Sequence, residues 1–422
     1  MSTASIAQRR IARLATLTAV HRAFHWLHLH QPQLRQWQLE IVRIPAPTFA
    51  ESTRAYWFLD HFRQLGLNNI HLDDAGNVLG EIGPASSPDN SILPAVLLSA
   101  HLDTVFPAST PIDPLEEKDS RRIYAPGICD NAAGLTAMLA IAAALKYANI
   151  TPPIPVLFAA NVGEEGEGDL RGMRHLFERG PYRNRIAAAI ALEGSGSSAV
   201  VTRALGSLRF RVTISGPGGH SWADAGTHNP IILLSHALTR IAALKLPTDP
   251  LTTINVGHIS GGTSINSIPE SATALLDIRS TDPTQLIATA TLVHQIFDDT
   301  VTLPTTKKHA PPPPKLQIET IGNRPAAALP DDSSLLQTLR AVDRHLTLRT
   351  EPRLGSTDAN IPLSRNIPAV AIGGGGLGGG IHTLQEWYDP TGRETALRRI
   401  LLTLLDTLDT TATAQTGDNS HP

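Results

Sequence analysis

The segment His101-Leu-Asp-Thr-Val105 sets an imidazole and a carboxylate two residues apart, just after the apolar run 93–98. That run reads as a buried strand, and side chains two apart on a strand share a face. Asp103 is therefore placed to orient His101 while the imidazole takes a metal. Open α/β sheets carry their chemistry at strand C-termini, where this pair falls. Further groups repeat the pattern. Asp130 sits in Gly127-Ile-Cys-Asp-Asn-Ala-Ala-Gly134 ahead of a helix, Glu164 and Glu165 follow a strand, Glu193 ends another, and His382 follows the glycine-dense run 373–380. Each alone has a plain reading, Asp130 as a helix N-cap and the glutamates as solvated loop residues. Gathered on one face, such acids repel unless cations neutralise them. Zinc accepts imidazole and carboxylate ligands and keeps a coordination position open in catalytic sites. Two such ions about 3.5–4 Å apart share a carboxylate and a water that ionises near neutral pH, which gives a nucleophile without serine or cysteine.

The elements that must position these groups alternate between helix and strand. Helices are expected over 36–44, 52–65 and 131–148, and strands over 77–82, 95–101, 155–161 and 187–192. Short apolar strands separated by helices imply a largely parallel sheet covered on both faces. From 208 the rhythm changes to strand 208–215, helix 230–244, strands 252–259 and 271–279, helix 283–299 and strand 315–320. This is a β-α-β-β-α-β order, the split motif of a small two-layer domain. The α/β rhythm returns with helix 333–346, strand 369–372 and helix 391–408. The expected architecture is an α/β catalytic domain in two pieces, 1–204 and 325–410, interrupted by an inserted domain, 205–324. A polar, disordered tail, 411–422, is expected to follow. The tract 305–314, with its four consecutive prolines, reads as an extended loop.

Bulk properties narrow the function classes. The 422 residues exceed what one core usually serves. Lys and Arg number 35 against 38 Asp and Glu, a net charge of −3, which lacks the basic surplus of a nucleic-acid binder. Cys129 is the only cysteine, so disulfides within the chain are excluded and a reducing, cytoplasmic setting is expected. Cys129 itself reads as a buried small hydrophobe rather than a soft ligand. No apolar run reaches the length of a membrane span, and the Ala-rich stretch 135–145 reads as a core helix. The N-terminal segment up to Leu39 contains no acid and several arginines, as transit peptides do. Leu17, Val20, Phe24 and Leu27, however, form a helical stripe that favours a structural helix.

On these motifs the chain resembles the M20 family of co-catalytic zinc hydrolases, over roughly residues 33–408. That group contains peptidase T-like exopeptidases, glutamate carboxypeptidase, acetylornithine deacetylase and aminoacylase. The resemblance implies a zinc-exopeptidase-type three-layer catalytic domain with an inserted ferredoxin-like α+β lid domain, which in the family also forms a homodimer. It implies two zinc ions, with cobalt or manganese as alternatives. One ion would be held by His101, Asp130 and Glu193, the other by Asp130, Glu165 and His382, with Asp130 bridging. Asp103 would orient His101, and Glu164 would be the general base.

Gly216-Pro-Gly-Gly-His220-Ser resembles the lid motif whose histidine reaches the partner subunit's active site and polarises the substrate carbonyl. Asn266, within Gly261-Gly-Thr-Ser-Ile-Asn-Ser-Ile-Pro269, and Arg279, within Asp277-Ile-Arg279, resemble positions that meet the substrate's free carboxylate. Asp358 and Asn360, in Gly355-Ser-Thr-Asp-Ala-Asn360, resemble a peptidase T-like segment lining the substrate pocket, with a simple turn as the alternative. The implied function is amide cleavage in small peptides. The alternatives are deacylation of N-acyl amino acids and a catalytically inactive binding homologue. A serine hydrolase is disfavoured because Gly219-His-Ser-Trp-Ala223 lacks the second glycine of Gly-x-Ser-x-Gly.

Overall fold

The structure is a computed structural model that describes residues 3–84, 86, 92–118, 120–302 and 312–416. The chain divides into two compact units, Met1–Ala204 with Ala328–Pro422, and Leu205–Ala327. Part of the proline tract, 305–311, lies outside the described residues.

The first unit is built on a mixed sheet. The strands Val156–Asn161, Ala95–His101, Ile186–Leu192 and Ala369–Ile372 lie side by side in that order and run parallel. All their residues except Ala187 are buried, which is why they read as continuous apolar runs rather than alternating ones. Parallel alignment brings their C-terminal ends to one edge. His101 ends one of these strands, Glu193 immediately follows another, Glu164 and Glu165 come from the loop after the third, and His382 comes from a hairpin, Leu377–Gly379 with Trp387–Asp389, that follows the fourth.

The outer strands depart from the expected parallel sheet. Val78–Ile82 runs antiparallel to Val156–Asn161, and Asn68–Leu72 runs antiparallel to Val78–Ile82. The turn between these two is tight, with Asp73 Oδ1 accepting the N–H groups of Ala75 and Asn77, and so short a link joins only antiparallel neighbours. On the other side Ala199–Ala204 is antiparallel to Ala369–Ile372, and Glu351–Gly355 is parallel to Ala199–Ala204.

Helix Ala132–Tyr147 is buried on every side from Ala132 to Leu145, as the Ala-rich run implied. Small residues let it approach the sheet closely, since a Cβ on Gly134 would lie 2.7 Å from the Leu192 carbonyl oxygen. The N-terminal helices Thr3–Ala15 and Thr18–Leu29 pack onto the same unit. Val20 and Leu27 are buried and Phe24 is half-buried, whereas Leu17 precedes its helix and is exposed. Among the described residues no helix is long and apolar enough to cross a membrane. The C-terminal helix, Arg393–Thr416, corrects the expected disordered tail as far as Thr416, and 417–422 lie outside the described residues. Thr410 and Thr413 return their hydroxyls to the carbonyls of Asp406 and Asp409, and Ala412 and Ala414 favour helix.

The second unit is a four-stranded antiparallel sheet in the order Thr252–Gly261, Ser271–Ser280, Gly206–Ser215, Lys315–Arg324. Helices Pro230–Ala242 and Pro283–Val301 start at proline behind side-chain caps, Asn229 accepting from Ile231 and Ile232 and Asp282 from Gln285. Alternate residues of the strands, among them Val212, Ile214, Ala274, Leu276 and Ile278, form one core with Leu234, Val293 and Phe297 of the helices. This is the ferredoxin-like α+β arrangement.

In the first unit Arg399 Nε and Nη2 grip Asp343 Oδ1 and Oδ2 at 2.6 and 2.8 Å, and Thr350 donates to the same carboxylate. Both charged side chains are buried. Asp343→Ala strands the guanidinium and is expected to cost about 3–5 kcal/mol in denaturant unfolding. A loss below ~1 kcal/mol would show that the pair does not hold the C-terminal helix in place.

Candidate functional site

Asp130 is not a helix cap. The helix behind it begins at Ala132 with Asn131 at the N-cap position, and Asp130 turns its two oxygens toward two different histidines. Oδ1 lies 3.1 Å from His101 Nε2, and Oδ2 lies 3.1 Å from His382 Nε2. Each histidine meets one more carboxylate, Glu193 Oε1 at 3.3 Å from His101 Nε2 and Glu165 Oε1 at 3.0 Å from His382 Nε2. The sets His101–Asp130–Glu193 and Asp130–Glu165–His382 each bring their ligand atoms within 4.8 Å of one another. They are the two triads expected from the sequence. His101, Glu164 and Glu165 form a third such group.

Orientation comes from the surrounding backbone. His101 Nδ1 donates to the Asp103 backbone carbonyl at 3.0 Å, which leaves Nε2 for the cluster. The Asp103 carboxylate stands 3.6 Å from that Nδ1, so the orienting contact runs through the main chain rather than through the carboxylate. The carboxylate instead accepts the N–H groups of Glu164 and Glu165 at 3.0 and 2.9 Å and the Thr48 hydroxyl at 3.0 Å. Asp103 thus fixes the Glu-Glu turn as well as the histidine. Arg54, fully buried, ties the Leu102 and Ile44 carbonyls together beneath it.

Asn131 spans the residues flanking Glu193, donating to the Leu192 carbonyl at 2.9 Å and accepting the Gly194 N–H at 3.0 Å. The glycine run before His382 allows close approach. Gly376 has φ +76°, and a Cβ there would sit 2.4 Å from the Tyr388 hydroxyl. Sequence reasoning missed Thr48, Arg54 and Asn131, because nothing local marks a polar residue as buried.

Charge within the cluster is strongly coupled. Burial pushes Glu193 up to about 7, with Asp130 and Asp358 adding to the rise and His101 opposing it. The hydrogen bond to Asp130 raises His382 to about 9, helped by Glu165. His101 is held well above the usual imidazole value because its neighbouring carboxylates overcome burial. Asp130 is driven well below the carboxylate range, since both histidines outweigh its burial. Asp130 Oδ1 and Glu193 Oε2 are buried and accept no hydrogen bond, a cost that a cation removes. The donors and their spacing therefore fit two divalent cations. Cys129 is in none of these groups, and burial pushes its thiol up to about 12.

Asp358 is buried and accepts from Asn161 Nδ2 at 2.8 Å, and Asn360 Oδ1 accepts the Thr357 N–H within the same turn. In the second unit, Gly219–His220 bridges Ser267–Ile268, so the His220 and Asn266 loops adjoin there. His220 is exposed, with Nδ1 accepting from Trp222 and Ala223, and Asn266 accepts from Ser264. Arg279 Nε donates to Asp277 at 2.7 Å. Ser221 is on an exposed turn after the bridge, not at a strand-to-helix elbow.

His382 and Glu193 release protons as cations enter, so divalent-metal affinity is expected to fall as pH drops through about 9 and then about 7. Calorimetry in buffers of different ionisation enthalpy reads this directly. Uptake without proton release would contradict the electrostatics described here.

A probable carboxypeptidase of Aspergillus clavatus is 30% identical over 254 residues, 54% of this chain and 55% of that protein. The chain spans about half the length of the curated relatives it matches. A tripeptidase of Staphylococcus aureus shares the fold with a TM-score of 0.70 at 24% identity, covering 89% of this chain and 98% of that one. A dinuclear metal-binding peptidase of Bacillus subtilis matches with a TM-score of 0.63 at 14% identity, covering 90% and 98%. The model of one family, peptidase family M20/M25/M40, matches residues 97–408, and the chain belongs to that family.

Proposed function

We propose that the chain is a metal-dependent hydrolase that cleaves the amide bond of small peptides as a dipeptidase- or tripeptidase-like exopeptidase. The carrying observation is the shared carboxylate, Asp130, whose two oxygens each face a different histidine paired with its own second acid. His101, Asp130 and Glu193 would hold one divalent ion, and Asp130, Glu165 and His382 the other. Zinc suits this imidazole and carboxylate set, with cobalt or manganese as substitutes. When bound, such a pair polarises the substrate carbonyl and acidifies the attacking water.

Glu164 is the general base in this reading. It is nearly buried, and its own N–H is anchored on Asp103. It accepts a proton from the attacking water and returns it to the departing nitrogen. His220 would stabilise the developing oxyanion from a neighbouring subunit, with the second unit as the homodimer interface. Arg279 and Asn266 would take the substrate carboxylate. Asp358 and Asn360, buried on one turn, would line the substrate pocket. The curated relatives' name, probable carboxypeptidase, supports an exopeptidase over an N-acyl amino acid deacylase. The filled ligand set argues against an inactive binding homologue. A cytoplasmic setting is proposed from the single cysteine.

Glu164→Gln is expected to keep its metal content and lose about 10²–10⁴-fold in kcat. Near-normal turnover would remove Glu164 from the role of base. A panel of dipeptides, tripeptides and N-acyl amino acids is expected to show peptide turnover well above deacylation, and the reverse ranking would select the deacylase.

A further inference from the structure

Glu386 is fully buried, carries a carboxylate, and takes no part in the chemistry above. Among the described residues it forms no ion pair. Its partners are three backbone N–H groups of one loop. Oε2 accepts from Gly127 at 2.9 Å, and Oε1 accepts from Cys129 and Asp130 at 2.8 Å each. Its own carbonyl accepts the Ala125 N–H at 3.0 Å, so residues 125–130 wrap around this one side chain and its peptide. Backbone amides converging on an anion form a fixed electrostatic socket, and charge-assisted bonds of this kind are stronger than neutral ones.

The socket reinforces two segments that a short ladder, Ile123–Tyr124 against Trp387–Tyr388, already sets side by side. Asp130 is the loop's last residue. Glu386 lies in the hairpin between Leu377–Gly379 and Trp387–Asp389, the same hairpin that carries His382. The hairpin's outer side is open to solvent: the His382 side chain is 50% exposed, and Ile381 and Leu384 are exposed as well. His382 has a backbone φ of +64°, and among the described residues its Nε2 bonds Asp130 and Glu165 alone. Apolar packing therefore does not hold this imaid ring against Asp130. The carboxylate four residues further on is bonded to the N–H of Asp130 itself, which ties the hairpin to that residue directly, beyond the strand pairing.

We propose that Glu386 is a positioning residue that locks the Asp130 loop to the His382 hairpin and thereby builds the second cation site, Asp130–Glu165–His382, more than the first. The proposal rests on the ligand assignment made under the proposed function. His101 and Glu193 hang from central strands and have their own anchors, the Asp103 carbonyl and Asn131, so the first site depends on Glu386 only through Asp130. Groups that hold a metal ligand in place by hydrogen bonds commonly govern affinity by about 10–100-fold.

The experiment is a stepwise titration of the chelator-stripped full chain with Co2+, read by calorimetry and by the visible absorption of the bound ion. Wild-type chain is expected to take two ions. In Glu386→Gln the amide nitrogen replaces an acceptor and confronts the Gly127 N–H. That variant should bind one ion within about threefold of wild type and the second about 10–100-fold more weakly. Its kcat should recover at high metal with KM unchanged. Glu386→Asp, which keeps the charge but shortens the reach, should give the same split to a smaller degree and serves if the glutamine variant does not fold. Equal affinities for both ions in the variants, or equal weakening of both sites together with a lower unfolding temperature, would overturn the proposal. Wild-type chain that takes no metal would instead contradict the proposed function itself.

Discussion

Carboxylates packed against one another in a buried cleft repel, and the arrangement persists only where positive charge is interleaved with them. Asp103, Asp130, Glu164, Glu165 and Glu193 gather around His101 and His382, and this balance governs the remainder of the first unit. Burial and neighbouring acids raise Glu193, and the carboxylates beside His382 raise that imidazole, so both groups favour added positive charge here. Parallel strands are suited to such a task because they deliver side chains from separate parts of the chain to one edge.

Strand ends alone do not give ligand geometry. Around the cluster, each anchor is a buried polar group bonded to main chain. Asp103 holds the Glu164–Glu165 turn, Asn131 clasps the residues on either side of Glu193, Arg54 draws the Leu102 and Ile44 carbonyls together, and Glu386 gathers the loop ending in Asp130. These contacts replace flexible loops with fixed donors and acceptors, which is what preorganised chemistry needs. The glycines near His382 matter for the opposite reason, since they remove side chains where backbone and Tyr388 meet.

The central strands and the groups beside them, His101, Glu164, Glu165 and Glu193, were legible in the sequence because full burial leaves uninterrupted apolar runs. Edge strands were not. Glu351–Gly355 contains Pro352 and pairs on one side only, where a missing N–H is tolerated, so its composition argues against a strand. Asn68–Leu72 is largely open to solvent and reads as a loop. The anchors escaped notice because Asn131 and Glu386 look like ordinary loop residues until tertiary contacts bury them. His220, Asn266 and Arg279 were marked by motif resemblance rather than by any physical pattern, and their loops adjoin within the second unit for His220 and Asn266 alone.

Anomalous diffraction at the zinc edge, from crystals of the zinc-loaded chain, addresses the central claim most directly. The account requires two peaks about 3.5–4 Å apart, one among His101, Asp130 and Glu193 and the other among Asp130, Glu165 and His382. A single peak, or none within this cluster, would contradict it.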